Sequence, residues 1–394
     1  MKRQGRLLAL VLAIILAGGS VAANAATIKA GATCSKAGLT KIYSGKKYTC
    51  IKSGRKYIWN KGVAVIAAPK PSPTPTPSPI ATAPAQPITF DNLDTKWVRK
   101  IAYDQIAAGV ANSTNYVPNI TYVIGPSLTA SRVDQEKQAL NRTSSFWSDI
   151  FKPSQVFIGY FTEKDVDWVD SAMCSQARYC PSGGSVVISK VIKDDTPWCN
   201  SAMATNNNDG IPFFDQCLGN GSDAIKNRQT GPHEYTHWVQ QANANWSWVP
   251  NWWTEGSADY FGNTLGIYNG ATMPAQLDEM SYNSSYNWVR QDLCPMPEPT
   301  VELITKCFRY TYNGGGAPPG NGNKYMLAHV SYYMGGLATE AMIAVKGLAT
   351  FKAFTKDLKT ITFDTAFEKH YGLTADEFYP KVAKYVLAMY QQKR

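Results

Sequence analysis

Residues 69–87, PKPSPTPTPSPIATAPAQP, limit what this chain can fold into more than any other stretch. The segment carries no acid and almost no bulky apolar side chain, and its prolines alternate with Ser, Thr and Ala. Proline fixes φ and lacks an N–H, so such a run neither joins the middle of a sheet nor continues a helix. It stays extended in a polyproline-type conformation and serves as a semi-rigid spacer. No single core can be built across it. The chain is therefore expected to fold in two parts, a small module at 27–63 and a large domain at 88–394, joined by a linker at 64–87.

The two parts differ in charge. Lys29, Lys36, Lys41, Lys46, Lys47, Lys52, Arg55, Lys56 and Lys61 lie in the module, which has no acidic residue. Residues 88–394 hold 26 basic against 29 acidic side chains, so the formal net charge of +10 belongs to the front of the chain. The module reads as β-hairpins. KKYTCI and KYIWN flank a KSGR turn, and a Cys34–Cys50 disulfide would stand in for a core too small to be stable alone. It resembles the short Cys-pair modules at the front of exported actinobacterial proteins, a likeness confined to residues 27–63. A basic face of this kind either tethers the chain to an anionic cell-wall polymer or is the solvated face of a spacer. Nucleic acid is not an expected partner.

The first residues read as a secretory signal over 1–25. Lys2, Arg3 and Arg6 form a basic start, Leu7–Leu16 an apolar run, and Ala23-Asn24-Ala25 a small-x-small cleavage site. The run is short for a membrane span, and no later segment has the roughly 20 apolar residues a spanning helix needs. With the signal removed, the protein is expected outside the cell, secreted or held at the wall. Eight cysteines without a C-x-x-C pair fit disulfides in an oxidising compartment. Spacing suggests local pairs: Cys34 with Cys50, Cys174 with Cys180, Cys199 with Cys217, and Cys294 with Cys307. Beyond the first, the six remaining cysteines allow 15 connectivities, and spacing does not choose among them.

In the large domain, NITYVI (119–124), SQVFIGYF (154–161) and SVVISKVI (185–192) read as strands. Residues 92–109 and 133–151 carry the apolar spacing of helices. Strands dominate before residue 233 and helices after residue 250, which makes the expected class α+β. Residues 199–230, rich in Asn, Asp and Gly, read as one long loop. Its spacing fits no EF-hand, so an ordinary loop is preferred to a calcium site.

The chain has four histidines, and two of them, His233 and His237, stand four positions apart in HEYTH. Gly231-Pro232 just before them suits the first turn of a helix. Positions i and i+4 share a helical face, so both imidazoles can reach one ion. Glu234 lies beside the first of them without being a ligand. This H-E-x-x-H arrangement is that of zinc metallopeptidases. The third ligand sorts their classes. A metzincin needs a histidine six positions after the second, and that position is Asn243, which excludes the class. The segment PNWWTEGSADYF instead offers Glu255 and Asp259, again four apart.

HEYTH followed by WWTEGSADYF, with 17 residues between His237 and Glu255, resembles the gluzincin metallopeptidases of the peptidase MA type and their W-x-x-E-G-x-A-[ED]-[YF] signature. The pair is similar to that of bacterial collagenases too, but their gap is longer, so collagen is not carried over as a substrate. The resemblance implies a zincin-like catalytic domain: a mixed sheet with an active-site helix, then a helical C-terminal subdomain, here preceded by the small β module. It implies His233, His237 and Glu255 as zinc ligands. Glu234 would be the general base that takes a proton from the attacking water and passes it to the leaving amine. Asp259 would hold the far N–H of a ligand histidine.

Residues 325–347 resemble the long helix that follows the site in these families, with Tyr332, Gly335 and Gly347 at matching positions. Tyr332 is the first candidate to donate a hydrogen bond to the oxyanion and His329 the second; the alternative is that both are packed core residues. Trp252 and Trp253 are expected to pack the second helix against the first, His370 to lie on the surface near a helix end, and SVVISKVI to be the edge strand beside an extended substrate. The expected activity is hydrolysis of peptide bonds in protein or peptide substrates, endopeptidase rather than exopeptidase. The alternative is a cell-wall-associated binding or adhesion protein whose zinc site is structural or vestigial. Glu234 argues against it, because a structural site needs no general base.

Overall fold

A computed structural model describes residues 28–64, 84, 86–180, 202–218, 229–246, 249–268, 299–311 and 330–392. The chain divides into two units, Met1–Ile80 and Ala81–Arg394. The signal segment at 1–25, most of the linker, SVVISKVI, His329, Cys199 and Cys294 lie outside the described residues.

In the first unit, β1 (Thr40–Tyr43), β2 (Lys46–Ser53), β3 (Lys56–Trp59) and β4 (Val63–Ala64) form one antiparallel sheet, with β1, β3 and β4 all paired to β2. Ser44 and Gly45 have φ of 46° and 71°, the two-residue turn whose twist matches a hairpin. The expected KSGR turn closes the next hairpin. Cys34 is bonded to Cys50, and Cys50 and Trp59, opposite each other in register, are the unit's buried pair. All nine cationic side chains named above are exposed.

The second unit is α+β. Its helix α1 (Val98–Ala111) buries Val98, Ala102 and Ile106 at four-residue spacing. Next come β5 (Asn119–Ile124), α2 (Ala130–Trp147), β6 (Gln155–Phe161), α3 (Val166–Ala177), β7 (Ala202–Asn206) and β8 (Pro212–Cys217). The sheet runs β5-β6-β8-β7, with β5, β6 and β8 parallel and β7 an antiparallel edge. Strand alternation supplies both faces. Val156, Ile158 and Tyr160 of β6 join the main core with α2, while Phe157 and Phe161 join a second cluster with Val169 and Met173 of α3.

The expected long loop at 199–230 is corrected here, since β7 and β8 occupy much of it. Among the described residues, Asn207–Gly210 form the turn between them. Asn207 Oδ1 accepts from the N–H of Asp209 and of Ile211, both at 3.0 Å, and its Nδ2 donates to Ala177 O at the end of α3. Phe213 and Phe214, just past the turn, are fully buried on opposite faces of the sheet.

The elements that follow among the described residues are helical: α4 (Thr230–Asn243), α5 (Asn251–Gly266), α6 (Val301–Tyr310), a π-helical turn (Val330–Met334), α7 (Gly335–Lys346), α8 (Leu348–Asp357), α9 (Phe363–Tyr371) and α10 (Ala375–Gln392). Trp252 and Trp253 are buried, and their ring partners lie on the later helices. Trp252 packs on Phe308, Phe363, Phe378 and Tyr379, and Trp253 on Phe354 and Phe363, so the pair fastens α5 to the C-terminal helices. A buried ion pair ties α1 to α7: Arg99 Nε lies 3.1 Å from Glu340 Oε1, which also accepts from the Tyr385 hydroxyl of α10 at 2.8 Å. His370 does sit in the last turn of α9, but it is half-buried and paired with Asp357 at 2.7 Å.

Cys174 is bonded to Cys180 around the end of α3. Cys217 and Cys307 are disulfide-bonded as well, and their partners fall outside the described residues. No helix among the described residues is long and apolar enough to cross a membrane.

Candidate metal centre

The centre is built on α4 and α5. Pro232 sits in the first turn of α4, where a missing N–H costs nothing. One helical turn separates His233 from His237, and their Nε2 atoms are 3.0 Å apart. Glu255 enters from α5, with Oε2 at 3.3 Å from His237 Nε2 and 3.6 Å from His233 Nε2. Zinc bonds of about 2.0–2.1 Å at tetrahedral angles put neighbouring donor atoms about 3.3 Å apart. The three observed separations bracket that value. Glu255 Oε2 is buried between the two imidazole nitrogens, so three donor atoms converge where either shared protons or one cation would balance them. These residues can hold a metal ion.

The electrostatics agree. Burial would lower the pKa of His237, but the Glu255 carboxylate outweighs it and raises the value to about 9. Burial likewise works against ionised Glu255, yet the two imidazoles hold its carboxyl well below the usual range.

Two helices can present three ligands only if their surroundings hold them. Gln240, one turn beyond His237, does much of this. Its Oε1 lies 2.8 Å from His237 Nδ1, and its Nε2 donates to Thr254 O and to Ser257 Oγ, each at 2.8 Å. With Nδ1–H donating to Gln240, His237 keeps its Nε2 lone pair free for the ion. The same amide joins α4 to α5. Asn243, which excluded the metzincin class, helps finish α4 by donating to Val239 O and to Ile150 O.

Asp259 is buried on α5, one turn beyond Glu255. Burial raises its pKa to about 6, with His233 working against the rise and Glu255 adding to it. No hydrogen bond joins it to either ligand histidine, and its Oδ2 is unpartnered. Gln240 stands behind His237, and the carboxylate of Asp259 interacts with His233. Glu234 is buried beside His233, and its charge is felt by both His237 and Tyr332.

Tyr332 lies in a π-helical turn that runs directly into α7, so the described part of the helix expected over 325–347 is continuous from Val330 to Lys346. Its ring stacks on His233 with centroids 5.8 Å apart and planes 10° apart. Burial, then the Glu255 and Glu234 carboxylates, push its hydroxyl pKa well above the ordinary value. The turn is brought this close by two glycines. A Cβ on Gly256 would lie 2.2 Å from Gly335 C, and one on Gly335 would lie 2.1 Å from Trp252 O. Gly256 follows the ligand Glu255 directly, so this backbone contact sets how near Tyr332 stands to the donor atoms.

Two neighbours of the centre carried no expectation. Gln240 had a signal, its i+3 position on the face of His237. Trp246, whose ring centroid is 5.8 Å from that of His237, had none. Comparison with known proteins gives no match: no family model, no curated protein and no solved structure is similar to this chain.

Proposed function

We propose that the chain is an exported zinc metallopeptidase of the gluzincin type, with a zincin-like catalytic domain. The observation that carries this reading is the buried His233–His237–Glu255 group, whose donor separations suit a tetrahedral ion, with the non-ligand carboxylate of Glu234 beside it. His233, His237 and Glu255 would hold the zinc, which when bound polarises a peptide carbonyl and acidifies water. Glu234 takes a proton from the attacking water and returns it to the leaving amine. Tyr332 offers its hydroxyl as a donor to the oxygen on which charge develops. Gln240 fixes the tautomer of His237.

An extended substrate would lie along β7, an end strand of the sheet among the described residues, which α4 meets through the Trp238 Nε1 bond to Thr205 O at 3.1 Å. The first unit, with nine exposed cations and no acid, is the tether to an anionic cell-wall polymer. Salt-sensitive retention of the protein on purified cell wall would test that part.

The peptidase reading is tested by loading the purified chain and its Glu234→Ala variant with zinc and incubating each with a diverse peptide library. Both should bind one equivalent of metal, and only the unaltered chain should yield cleavage products by mass spectrometry. Metal binding without cleavage by either would favour a binding protein with a structural site. Equal cleavage by both would mean that the chemistry lies elsewhere.

A further inference from the structure

Trp246 follows α4 by three residues and is 38% exposed, the one exposed tryptophan among the described residues. Trp238, Trp252 and Trp253 on the neighbouring helices are all at or below 1%. Core packing therefore does not account for Trp246. The two residues before it are hydrogen-bonded through their backbone. The N–H of Ala244 bonds to Gln240 O at 2.7 Å, that of Asn245 bonds to Leu358 O at 3.0 Å, and Val249 is buried on the far side. The indole plane is tilted 56° to the ring of His237, with the ring centroids 5.8 Å apart. His233 carries the ring of Tyr332 in the same way, so each ligand histidine has an aromatic neighbour.

An exposed aromatic beside a set of reactive groups supplies apolar contact area for a ligand. We propose that Trp246 is the wall of a subsite that takes an aromatic or large aliphatic side chain of the substrate, next to the bond that is cut. The inference rests on the peptidase reading and names its substrate class. Cations also stack on indole, but this indole stands beside a group suited to a divalent cation, which repels a second positive charge. An apolar side chain pays no such penalty.

The test uses the full zinc-loaded chain together with Trp246→Ala and Trp246→Phe. The unaltered chain should enrich Phe, Tyr, Leu or Met at one position flanking the cleaved bond of library peptides. Two synthetic peptides are then compared, differing only in Phe or Ala at that position. Trp246→Ala should lower kcat/KM for the Phe peptide at least about tenfold more than for the Ala peptide. Trp246→Phe should restore most of the preference, and zinc content and melting temperature should stay as in the unaltered chain. The proposal is overturned if Trp246→Ala keeps the preference, loses both peptides equally, or if the enriched residue is Lys or Arg. Should the unaltered chain cut no peptide at all, the peptidase reading falls and takes this subsite with it. A chain that cuts without regard to Trp246 leaves that reading standing.

Discussion

Replacing Gly256 by alanine adds one methyl group at the tightest backbone contact beside the metal centre. The new Cβ would meet Gly335 C at 2.2 Å, Gly335 Cα at 2.4 Å and Gly336 N at 2.7 Å, where ordinary contact begins at 3.4 Å. All three atoms are backbone, so no rotamer change can relieve the overlap. The π-helical turn and the start of α7 must move off α5 by about 1 Å. Overpacking of this kind costs about 1–3 kcal/mol, and a purely backbone contact belongs at the upper end. Alanine's better helix propensity returns about 1 kcal/mol. The net is a loss of about 2 kcal/mol, or roughly 4 °C in a unit of this size.

Activity should fall further than stability. A 1 Å misplacement of Tyr332 costs on the order of 100-fold in kcat, whereas zinc content should hold because His233, His237 and Glu255 all lie on α4 and α5, outside the segment that moves. Thermal melting, zinc stoichiometry and peptide turnover measured on one preparation check the three statements. Gly231→Ala is the control, since its new Cβ would meet nothing closer than Leu140 Cδ2 at 3.5 Å. A Gly256→Ala protein that melts at or above the unaltered chain would refute the reasoning.

Three further outcomes are expected. Gln240→Ala removes the acceptor from His237 Nδ1 and the link to α5, and should weaken zinc affinity about 10–100-fold in competition with a chelator; an unchanged affinity would deny Gln240 its orienting role. Glu340→Ala leaves Arg99, 5% exposed, without its carboxylate, and should cost about 3–5 kcal/mol in urea unfolding, with the Arg99→Ala/Glu340→Ala double variant losing less than the sum of the singles. Asp215, buried in β8, has its pKa pushed up to about 8 by burial, with Glu234 adding to the rise. Its folded pKa lies above the unfolded value, so the stability carried by its proton is complete below about pH 4 and is lost as the pH rises to about 8. Asp215→Asn should therefore melt close to the unaltered chain at pH 4 and above it at pH 8, by a few kcal/mol at most; parallel melting curves across that range would contradict the assignment.

What the sequence made legible is what depends on local spacing. His233 and His237 share a face because a helix has 3.6 residues per turn, and Glu255 lies on the next helix. Strands β5 and β6 announced themselves by apolar patterns within a few residues of their observed ends. What stayed hidden depends on docking. Asp259 and Gln240 were both within a turn of a ligand, and only the packing of α4 on α5 assigns the hydrogen bond to Gln240. The direction faced by Trp252 and Trp253 is set by Phe308, Phe354, Phe363 and Phe378, which are remote in sequence. In 199–230 the Asn, Asp and Gly residues spread along the stretch concealed two short strands, one of which holds the buried pair Phe213 and Phe214.

The donor atoms of the centre all come from residues 233–255, whereas Tyr332 arrives from a distant part of the chain. Loop-closure entropy grows with the logarithm of loop length. Bringing Tyr332 to Glu255 closes 76 intervening residues against 17 between His237 and Glu255, a difference of about 1.3 kcal/mol. The helical pair can therefore meet early in folding, and capturing an ion there adds binding free energy to a structure that still lacks its C-terminal helices. Loading the metal and completing the site become separate kinetic events. A chain that acquires zinc only after export would pass through a species that already holds the ion while Tyr332 is still undocked.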